Sequence, residues 1–258
     1  MCHSQILYHK EDGLSSLCLA KEGERREEKE GRRRNLYGSQ TVFCVVESVQ
    51  KRKNRPRPLR RKGIQMVKDL IIKNRSCRGY DESYTFTEEQ LKNYVDGARL
   101  CASSVNLQPL KYFIAWEKED VDKIQSRIKW AKQLPQVTLP HPGMCPTGFV
   151  VICQDKNISD NLTRFMKDVG IVAQSMLLMA VEEGLGGCMI GSFRPDEIKE
   201  GLGLSDNLHP LLVVALGRPA ETIVLTDVGE DGKTAYYRDE NDVHYVPKRS
   251  LEDLLINC

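Results

Sequence analysis

The 258-residue sequence predicts an α+β fold, and two observations support this prediction. Segments with helical periodicity outnumber strand-like runs. The two kinds of segment do not alternate along the chain, as a doubly wound parallel sheet requires. The longest apolar stretch, residues 169–181, is apolar on nearly every side of a helix, which indicates burial all round. In a domain of this size, we expect a subunit interface to provide part of that cover.

The first half of the predicted domain is mainly helical. Its predicted elements are helices over residues 67–72, 88–102 and 117–132 and a strand over residues 110–116. Val67, Leu70 and Ile71 have the spacing of one helix face. Thr87 followed by Gln90 matches the capping-box pattern, which predicts the start of the second helix.

The second half is predicted to contain two buried strands and the longest helix. Its predicted elements are strands over residues 149–153 and 211–216 and helices over residues 161–183, 195–201 and after a capping Ser250. Gly184 ends the long helix, and Pro195 begins the next one. The glycine-rich segment 184–191 follows a helix and not a strand, which argues against a Rossmann nucleotide loop.

The first 65 residues differ in charge from the rest of the chain. They hold 16 Lys and Arg against 8 Asp and Glu, whereas the remainder holds 22 against 28. Residues 41–46 are the one run predicted to form a strand there. We interpret residues 1–65 as a disordered basic appendage upstream of a start at Met66, because their charged stretches contain too few apolar side chains for a core. The alternative is an arm that binds nucleic acid.

Composition restricts the cellular location and the kind of site. No apolar run reaches the roughly 18 residues needed to cross a bilayer, and the amino terminus has no signal-peptide pattern. The 9 cysteines include no CxxC pair, so neither a zinc site nor a disulfide framework is predicted. We therefore expect a cytoplasmic protein with reduced thiols and no bound metal.

The candidate chemistry lies in cations beside small polar residues. No catalytic triad, HExxH motif or Walker loop occurs, and His141, His209 and His244 are interpreted as structural or solvated. The cationic candidates are Arg75, Ser76 and Arg78 where a helix breaks, and Lys248 and Arg249 near the carboxyl end. Such groups can bind a phosphate, although a surface role is equally compatible with their spacing. Ser103, Ser104, Asn106 and Gln108 form a polar group that suits either ring recognition or turn formation.

Five segments of residues 66–258 together resemble one known family. The first, residues 74–81, is similar to an Arg-Ser-x-Arg-x-Phe motif with Tyr80 in place of phenylalanine. The second, residues 102–109, is similar to Pro-Ser-x-x-Asn-x-Gln-Pro with Ala102 in place of proline. The other three are residues 170–187, 216–220 and 246–251. In this order they resemble the nitroreductase family of flavin-dependent oxidoreductases.

The resemblance implies a fold, a cofactor and an assembly. It implies a central, mostly antiparallel sheet flanked by helices, with the long helix at a homodimer interface and FMN in a cleft between subunits. NADH or NADPH would then donate a hydride, and an electron-poor acceptor such as a nitroaromatic or quinone would receive it in a ping-pong sequence without a catalytic side chain. The residues implied to contact FMN are Arg75, Ser76, Arg78, Ser103, Ser104, Asn106, Gln108, Met189, Ile190, Gly191, Arg218, Lys248 and Arg249.

Two alternatives stay open at this point. One is a nucleic-acid-associated dimer that uses the basic amino-terminal arm. The other is a dehalogenase or flavin-modifying enzyme on the same scaffold, because the segment over residues 117–140 is shorter than in relatives that insert helices over the flavin.

Overall fold

The computed structural model describes residues 7–11, 14–18 and 67–257. The chain divides into two units, Met1–Arg61 and Lys62–Cys258. In the first unit, strands β1 (Leu7–Glu11) and β2 (Leu14–Cys18) pair antiparallel, where the sequence predicts no strand. Asp12-Gly13, which lies between them in the sequence, is a residue pair that two-residue hairpin turns favour. The strand predicted over residues 41–46 lies outside the described residues, and the interpretation of residues 1–65 as an appendage stays a prediction.

The second unit contains the remaining helices and strands. Its helices are α1 (Val67–Lys73), α2 (Glu88–Arg99), α3 (Lys118–Gln125), α4 (Met166–Glu182), α5 (Pro195–Gly201) and α6 (Leu251–Leu254), with a 3₁₀ turn at Ser104–Asn106. Its strands are β3 (Tyr80–Asp81), β4 (Leu110–Ala115), β5 (Gly148–Asp155), β6 (Gly186–Ile190), β7 (Leu208–Pro219), β8 (Ile223–Asp227), β9 (Tyr237–Arg238) and β10 (His244–Lys248).

The long strand β7 organises a five-stranded sheet in which every named pairing is antiparallel. Strand β5 lies along one side of β7, with β4 beyond it. The other side of β7 pairs with β6 and, at its end, with β3. A second sheet of order β8-β10-β9 carries the carboxyl-terminal residues. The predicted α+β fold with a mostly antiparallel sheet is therefore confirmed.

The two faces of the central sheet carry separate apolar cores. Along β5, Val150 and Ile152 pack with α2 and α4, whereas Val151 and Cys153 pack with α3 and α5. This alternation follows from the period of two in a strand, and all four side chains are buried. The sheet is therefore covered by helices on both faces.

Helix α4 is less buried in a single chain than its sequence predicts. Met176 is fully buried in the core of its own chain, whereas Ile171 is 42% exposed and Gly170 is also exposed. One chain therefore does not bury α4 on every side, and the predicted cover from a subunit interface is not tested by a single chain. The exposed face is the part available for the predicted dimer interface, which stays a prediction.

Other elements differ from prediction at their ends. Helix α2 begins at the predicted capping box of Thr87 and Gln90, which is confirmed. Helix α3 ends at Gln125 and not near residue 132, because Ile128 forms a β-bridge to Phe193 that takes the chain out of the helix. In the part of the chain that the structure describes, no helix is long and apolar enough to cross a membrane.

Candidate functional site

The glycine-rich segment after α4 is a strand, and it fixes the position of the first basic motif. Ser76 forms a parallel β-bridge to Gly187, and the Cys77 amide donates to the Gly187 carbonyl at 3.0 Å. A side chain at position 187 would collide with the Ala215 carbonyl oxygen and approach Leu177 to 2.6 Å, so glycine is required there. The motif is thus placed alongside strand β6.

Arg78 is the central cation of this region. Its residue is only 9% exposed, and its guanidinium lies 4.7 Å from the centre of the Tyr236 ring. Nη1 donates to the Ser76 carbonyl at 3.1 Å and lies 3.2 Å from Nε2 of His244. A guanidinium held on three sides keeps a fixed direction, which suits it to recognising an anion or an acceptor-rich ring edge.

A buried ion pair, Glu221 with Arg238, contacts the backbone of Arg78. The Glu221 carboxylate accepts from the Arg78 backbone amide and pairs with Arg238, and both side chains are nearly inaccessible to water. Arg238 also pairs with Asp242 at 2.8 Å. Glu221 lies between β7 and β8, Arg238 in β9 and Asp242 between β9 and β10, so their contribution was not visible from spacing along the sequence.

Two cavities meet at Arg78 and Tyr236. The first, about 270 Å³, is named the basic cavity and is lined by Asn74, Arg75, Ser76, Arg78, Tyr236, His244, Val246 and Lys248. The second, about 260 Å³, is named the β6 cavity and is lined by Arg78, Lys129, Trp130, Ala131, Lys132, Gln133, Cys188, Met189, Ile190, Gly191, Ser192 and Tyr236. The structure therefore groups seven of the predicted residues in two adjoining spaces.

The basic cavity contains buried nitrogen atoms without a protein partner. Nε of Arg75 and Nδ1 of His244 are buried and form no hydrogen bond within the described residues. Burial lowers the pKa of Arg75, whose Nη2 donates to the Ile71 carbonyl at 2.8 Å. Buried donors are nearly always paired in folded proteins, so these two atoms indicate a ligand or water in the cavity.

These residues fit FMN. Arg75, Arg78 and Lys248 supply positive charge in the basic cavity, which suits a phosphate. Trp130, the partly exposed Met189 and the buried Ile190 line the β6 cavity. An anionic group therefore fits the basic cavity and a planar ring fits the adjoining β6 cavity, with Arg78 where the two cavities meet.

In the second polar group, Ser103 and Ser104 form hydrogen bonds to another side chain of the protein. The Ser103 hydroxyl donates to Asp168 at 2.7 Å, and Ser104 donates to it from its amide at 2.9 Å and from its hydroxyl at 2.6 Å. We call Ser103, Ser104 and Asp168 the serine cluster. Burial opposes ionisation of Asp168, but the bonds from Ser104 and Ser103 outweigh it and lower its pKa. Both hydroxyls are thus occupied in holding this loop to α4.

Asn106 and Gln108 lie on an exposed loop next to the serine cluster. Both have φ of 53°, an unusual conformation for residues other than glycine. The Gln108 amide donates to Oδ1 of Asn106 at 3.1 Å. The cavity that contains Ser103 and Gln108 shares no residue with the basic cavity or the β6 cavity. One chain therefore does not bring this segment to the predicted flavin site.

Two predicted cations also lie outside the two cavities. Arg218 donates to Asp81 at 3.1 Å and lies over the Tyr84 ring at 4.8 Å. Arg249 is exposed and lines neither the basic cavity nor the β6 cavity. Of the carboxyl-terminal basic pair, only Lys248 faces the basic cavity.

His244 and Tyr236 are site residues that the sequence interpretation missed. His244, Val246 and Lys248 line the basic cavity at every second position of β10. Recognition of a strand there would have placed His244 on the same face as Lys248. Burial, followed by the nearby charges of Arg78 and Arg238, lowers the pKa of His244 to about 4. The imidazole is therefore neutral at pH 7.

Comparisons with known proteins identify the family of this chain. Residues 71–218 match the sequence profile described as "Nitroreductase family". An oxygen-insensitive NADPH nitroreductase of Helicobacter pylori is 25% identical over 181 residues, which cover 58% of this chain and 86% of that protein. A chromium(VI) reductase of a Pseudomonas species is 25% identical over 173 residues, which cover 60% and 67%.

Solved structures show the same fold. A nitroreductase family protein of Clostridium novyi has a TM-score of 0.51 and 20% identity, with 73% of this chain and 99% of that chain covered. A nitroreductase structure from Exiguobacterium sibiricum, in complex with FMN, has a TM-score of 0.52 and 17% identity, with 61% and 90% covered. Because the family profile spans more than half of the 258 residues and the fold agrees, this chain is an oxidoreductase that belongs to the nitroreductase family.

Proposed function

We propose that this chain is a cytoplasmic, homodimeric FMN-dependent enzyme that takes a hydride from NADPH or NADH and reduces an electron-poor acceptor such as a nitroaromatic or a quinone. Bound FMN would supply the hydride chemistry, while the protein binds and orients it. A nitroreductase and a chromium(VI) reductase among the relatives support a reductive role. The observation that carries the proposal is the junction of the basic cavity and the β6 cavity at Arg78.

Each cavity residue has a role that follows from its position. Arg75 and Lys248 contribute charge at the phosphate end, and Ser76 lines the same cavity. Arg78 lies where the basic cavity meets the β6 cavity, so it can bind polar atoms between the phosphate and the ring. Met189, Ile190 and Gly191 form the β6 side of the ring space.

The loop of Asn106 and Gln108 is proposed to act on the partner subunit's flavin. Its amides are exposed and held in a strained conformation, although they contact neither cavity of their own chain. Helix α4 has an exposed face that includes Ile171 and Gly170. A twofold axis on this face would cover Ile171 and place the loop, which is held to α4 through Asp168, against the partner subunit.

The segment over the β6 cavity bears on the choice of acceptor. The Lys129 amide donates to the Ser192 carbonyl at 2.8 Å, which attaches residues 129–133 to the end of β6. Lys129, Lys132 and Gln133 then form one wall of the cavity. Reduction of nitroaromatics or quinones is the proposed activity, and dehalogenation would be an alternative outcome of an acceptor screen.

Steady-state kinetics of the purified full chain test this function. We expect continuous oxidation of NADPH or NADH to require both bound FMN and an acceptor, whereas under anaerobic conditions without an acceptor each bound FMN should oxidise a single equivalent. Double-reciprocal plots at several acceptor concentrations should give parallel lines, because donor and acceptor use the same space in turn. Intersecting lines would contradict a shared space. A colourless protein that neither binds FMN nor oxidises either nucleotide, but shifts labelled DNA, would instead support the nucleic-acid alternative.

Light scattering tests the proposed dimer. The chain should have twice its mass of 29.4 kDa in solution. Ile171→Asp should reduce this mass to that of a monomer, because it places a charge on the proposed interface. Ile158→Asp is the matched control, since Ile158 is 39% exposed on a turn away from α4. A wild-type monomer that retains FMN would contradict the assembly but not the cofactor.

A further inference from the structure

His244 is a buried residue in the wall of the basic cavity. Only 1% of it is exposed, and its ring centre lies 5.2 Å from that of Tyr236. The charged groups around it are Arg78 from the segment after α1, Arg238 of β9 and Asp242 of the turn before β10. The nearest polar contact is with Arg78, where Nε2 of His244 and Nη1 of Arg78 are 3.2 Å apart.

The chemistry of this contact determines the tautomer of the ring. A guanidinium has only donors and stays charged, so Nε2 of His244 must be the acceptor. A neutral imidazole that accepts at Nε2 carries its proton on Nδ1. The low pKa of His244, which results from burial and from Arg78 and Arg238, agrees with a neutral ring. His244 is therefore an acceptor towards Arg78 and a donor at its other nitrogen.

The donor at Nδ1 has no acceptor within the described residues. Nδ1 is buried, and no hydrogen bond satisfies it. A buried N–H without a partner is unfavourable, and binding of an acceptor would remove that cost. The Nε atom of Arg75, which is in the wall of the same cavity, is also buried and unpaired. Two unpaired donors in one cation-rich cavity indicate an anionic ligand with several oxygen atoms.

We propose that His244 is a binding and positioning residue of this site: its neutral ring holds Arg78 through Nε2 and donates from Nδ1 to the phosphate monoester of the flavin. This inference rests on the proposed FMN function and deepens it. It assigns a function to a histidine that spacing along the sequence indicates to be structural. Riboflavin, which has the same ring and no phosphate, should depend much less on this residue.

The test compares FMN and riboflavin dissociation constants for wild type and three variants at pH 7.5. His244→Phe keeps a ring of similar size but has neither acceptor nor donor, so we expect FMN affinity to fall about tenfold or more. Riboflavin affinity should fall clearly less than FMN affinity, because riboflavin loses only the effect transmitted through Arg78 and has no phosphate to accept from Nδ1. His244→Gln, which offers an amide oxygen to Arg78, should recover a large part of the FMN affinity. His209→Ala is the control, because His209 lines neither cavity.

Failure of the proposed function and failure of the role of His244 give different results. If wild-type protein binds no FMN, the proposed function itself fails. If wild type binds FMN and H244F binds it equally tightly, the role of His244 is wrong. Should H244F not fold, ¹⁵N NMR of the wild-type imidazole decides the matter. We expect the Nδ1–H tautomer and a change in the Nδ1 resonance on addition of FMN; an Nε2–H tautomer or an unchanged Nδ1 resonance would overturn the proposal.

Discussion

The basic cavity and the serine cluster are both polar, but their hydrogen bonding is opposite. In the serine cluster, the Asp168 carboxylate accepts three bonds from Ser103 and Ser104. In the basic cavity, nitrogen atoms of Arg75 and His244 are buried without partners. The first arrangement is complete within one chain, whereas the second lacks acceptors. Unsatisfied donors inside a cavity lined by cations therefore indicate a ligand site, whereas the polar groups of the serine cluster are used within the protein.

The largest expected effect comes from removing charge at the basic cavity. Arg75→Ala combined with Lys248→Ala should weaken FMN binding by about 3 to 6 kcal/mol, because each charge-assisted contact contributes about 1.5 to 3 kcal/mol. The dissociation constant, measured by quenching of flavin fluorescence, should therefore rise by about a hundredfold or more.

A second double variant controls for net charge in this experiment. Arg218→Ala with Arg249→Ala removes the same charge outside the two cavities, since Arg218 pairs with Asp81. We expect this variant to bind FMN within about threefold of wild type. Equal losses in both double variants would mean that general electrostatics, and not the basic cavity, holds the cofactor.

Loss of the Asp168 carboxylate from the serine cluster should lower the stability of the fold. Asp168→Ala leaves the Ser103 and Ser104 donors without their acceptor, and Asp168 is only 2% exposed. We expect the free energy of unfolding to fall by about 3 to 4 kcal/mol in urea titrations. Ser159→Ala is a control for loss of a polar group, because the partly buried Ser159 hydroxyl accepts a single bond, from the Asn161 amide at 3.3 Å. If Asp168→Ala kept wild-type stability, the serine cluster would not be a structural unit.

Two glycines near the flavin space should respond differently to the same change. Gly187→Ala should reduce stability by about 2 to 3 kcal/mol, because the added methyl group meets the Ala215 carbonyl and Leu177. At Gly191, no heavy atom lies within 4 Å of an added Cβ. Gly191→Ala should therefore preserve the midpoint of thermal unfolding. Equal midpoints for both variants would contradict the close packing of β6 against β7.

The smallest effect is a pH dependence of the unliganded protein. The pKa of His244 is about 4 when folded and near its ordinary 6.5 when unfolded, so the unfolded state binds more protons between these values. Stability should therefore fall as the pH decreases from 6.5 towards 4. We expect His244 to contribute about 1 to 2 kcal/mol of this loss between pH 7 and pH 5.

His244→Gln separates this contribution from that of the carboxylates. The variant keeps every other titrating group that faces the ring, including Asp242. Urea unfolding of both proteins at pH 7 and pH 5 should show a smaller loss in the variant. The same pH dependence in both would mean that His244 is already protonated in the fold or is exposed to solvent.

The sequence predicted the elements whose local signals are strong. The capping box at Thr87 fixed the start of α2, and the apolar runs predicted β5 and β7. Strand β6 was missed because two of its five residues are glycines, and its pairing with β7 is a long-range property. Strands β8 and β10 were also missed, because they pair with each other across a long separation in sequence.

The site was predictable where motifs are contiguous and not where it is assembled from distant segments. Arg75, Ser76 and Arg78 lie together because one short segment carries them beside β6. His244 and Tyr236 reach the same cavity only through the second sheet, so spacing gave no indication of their role. Arg218 and Arg249 match the family motif by position, but the structure places them outside both cavities.

The most direct test of the account is a comparison of FMN with riboflavin as ligands of the purified wild-type chain. The two compounds share the ring and differ in the phosphate, which the basic cavity is proposed to hold. We predict that FMN is the cofactor released from the protein, as identified by mass, and that it binds about a hundredfold or more tightly than riboflavin. Equal affinity for the two compounds, or binding of neither, would contradict the assignment of the basic cavity as the phosphate site.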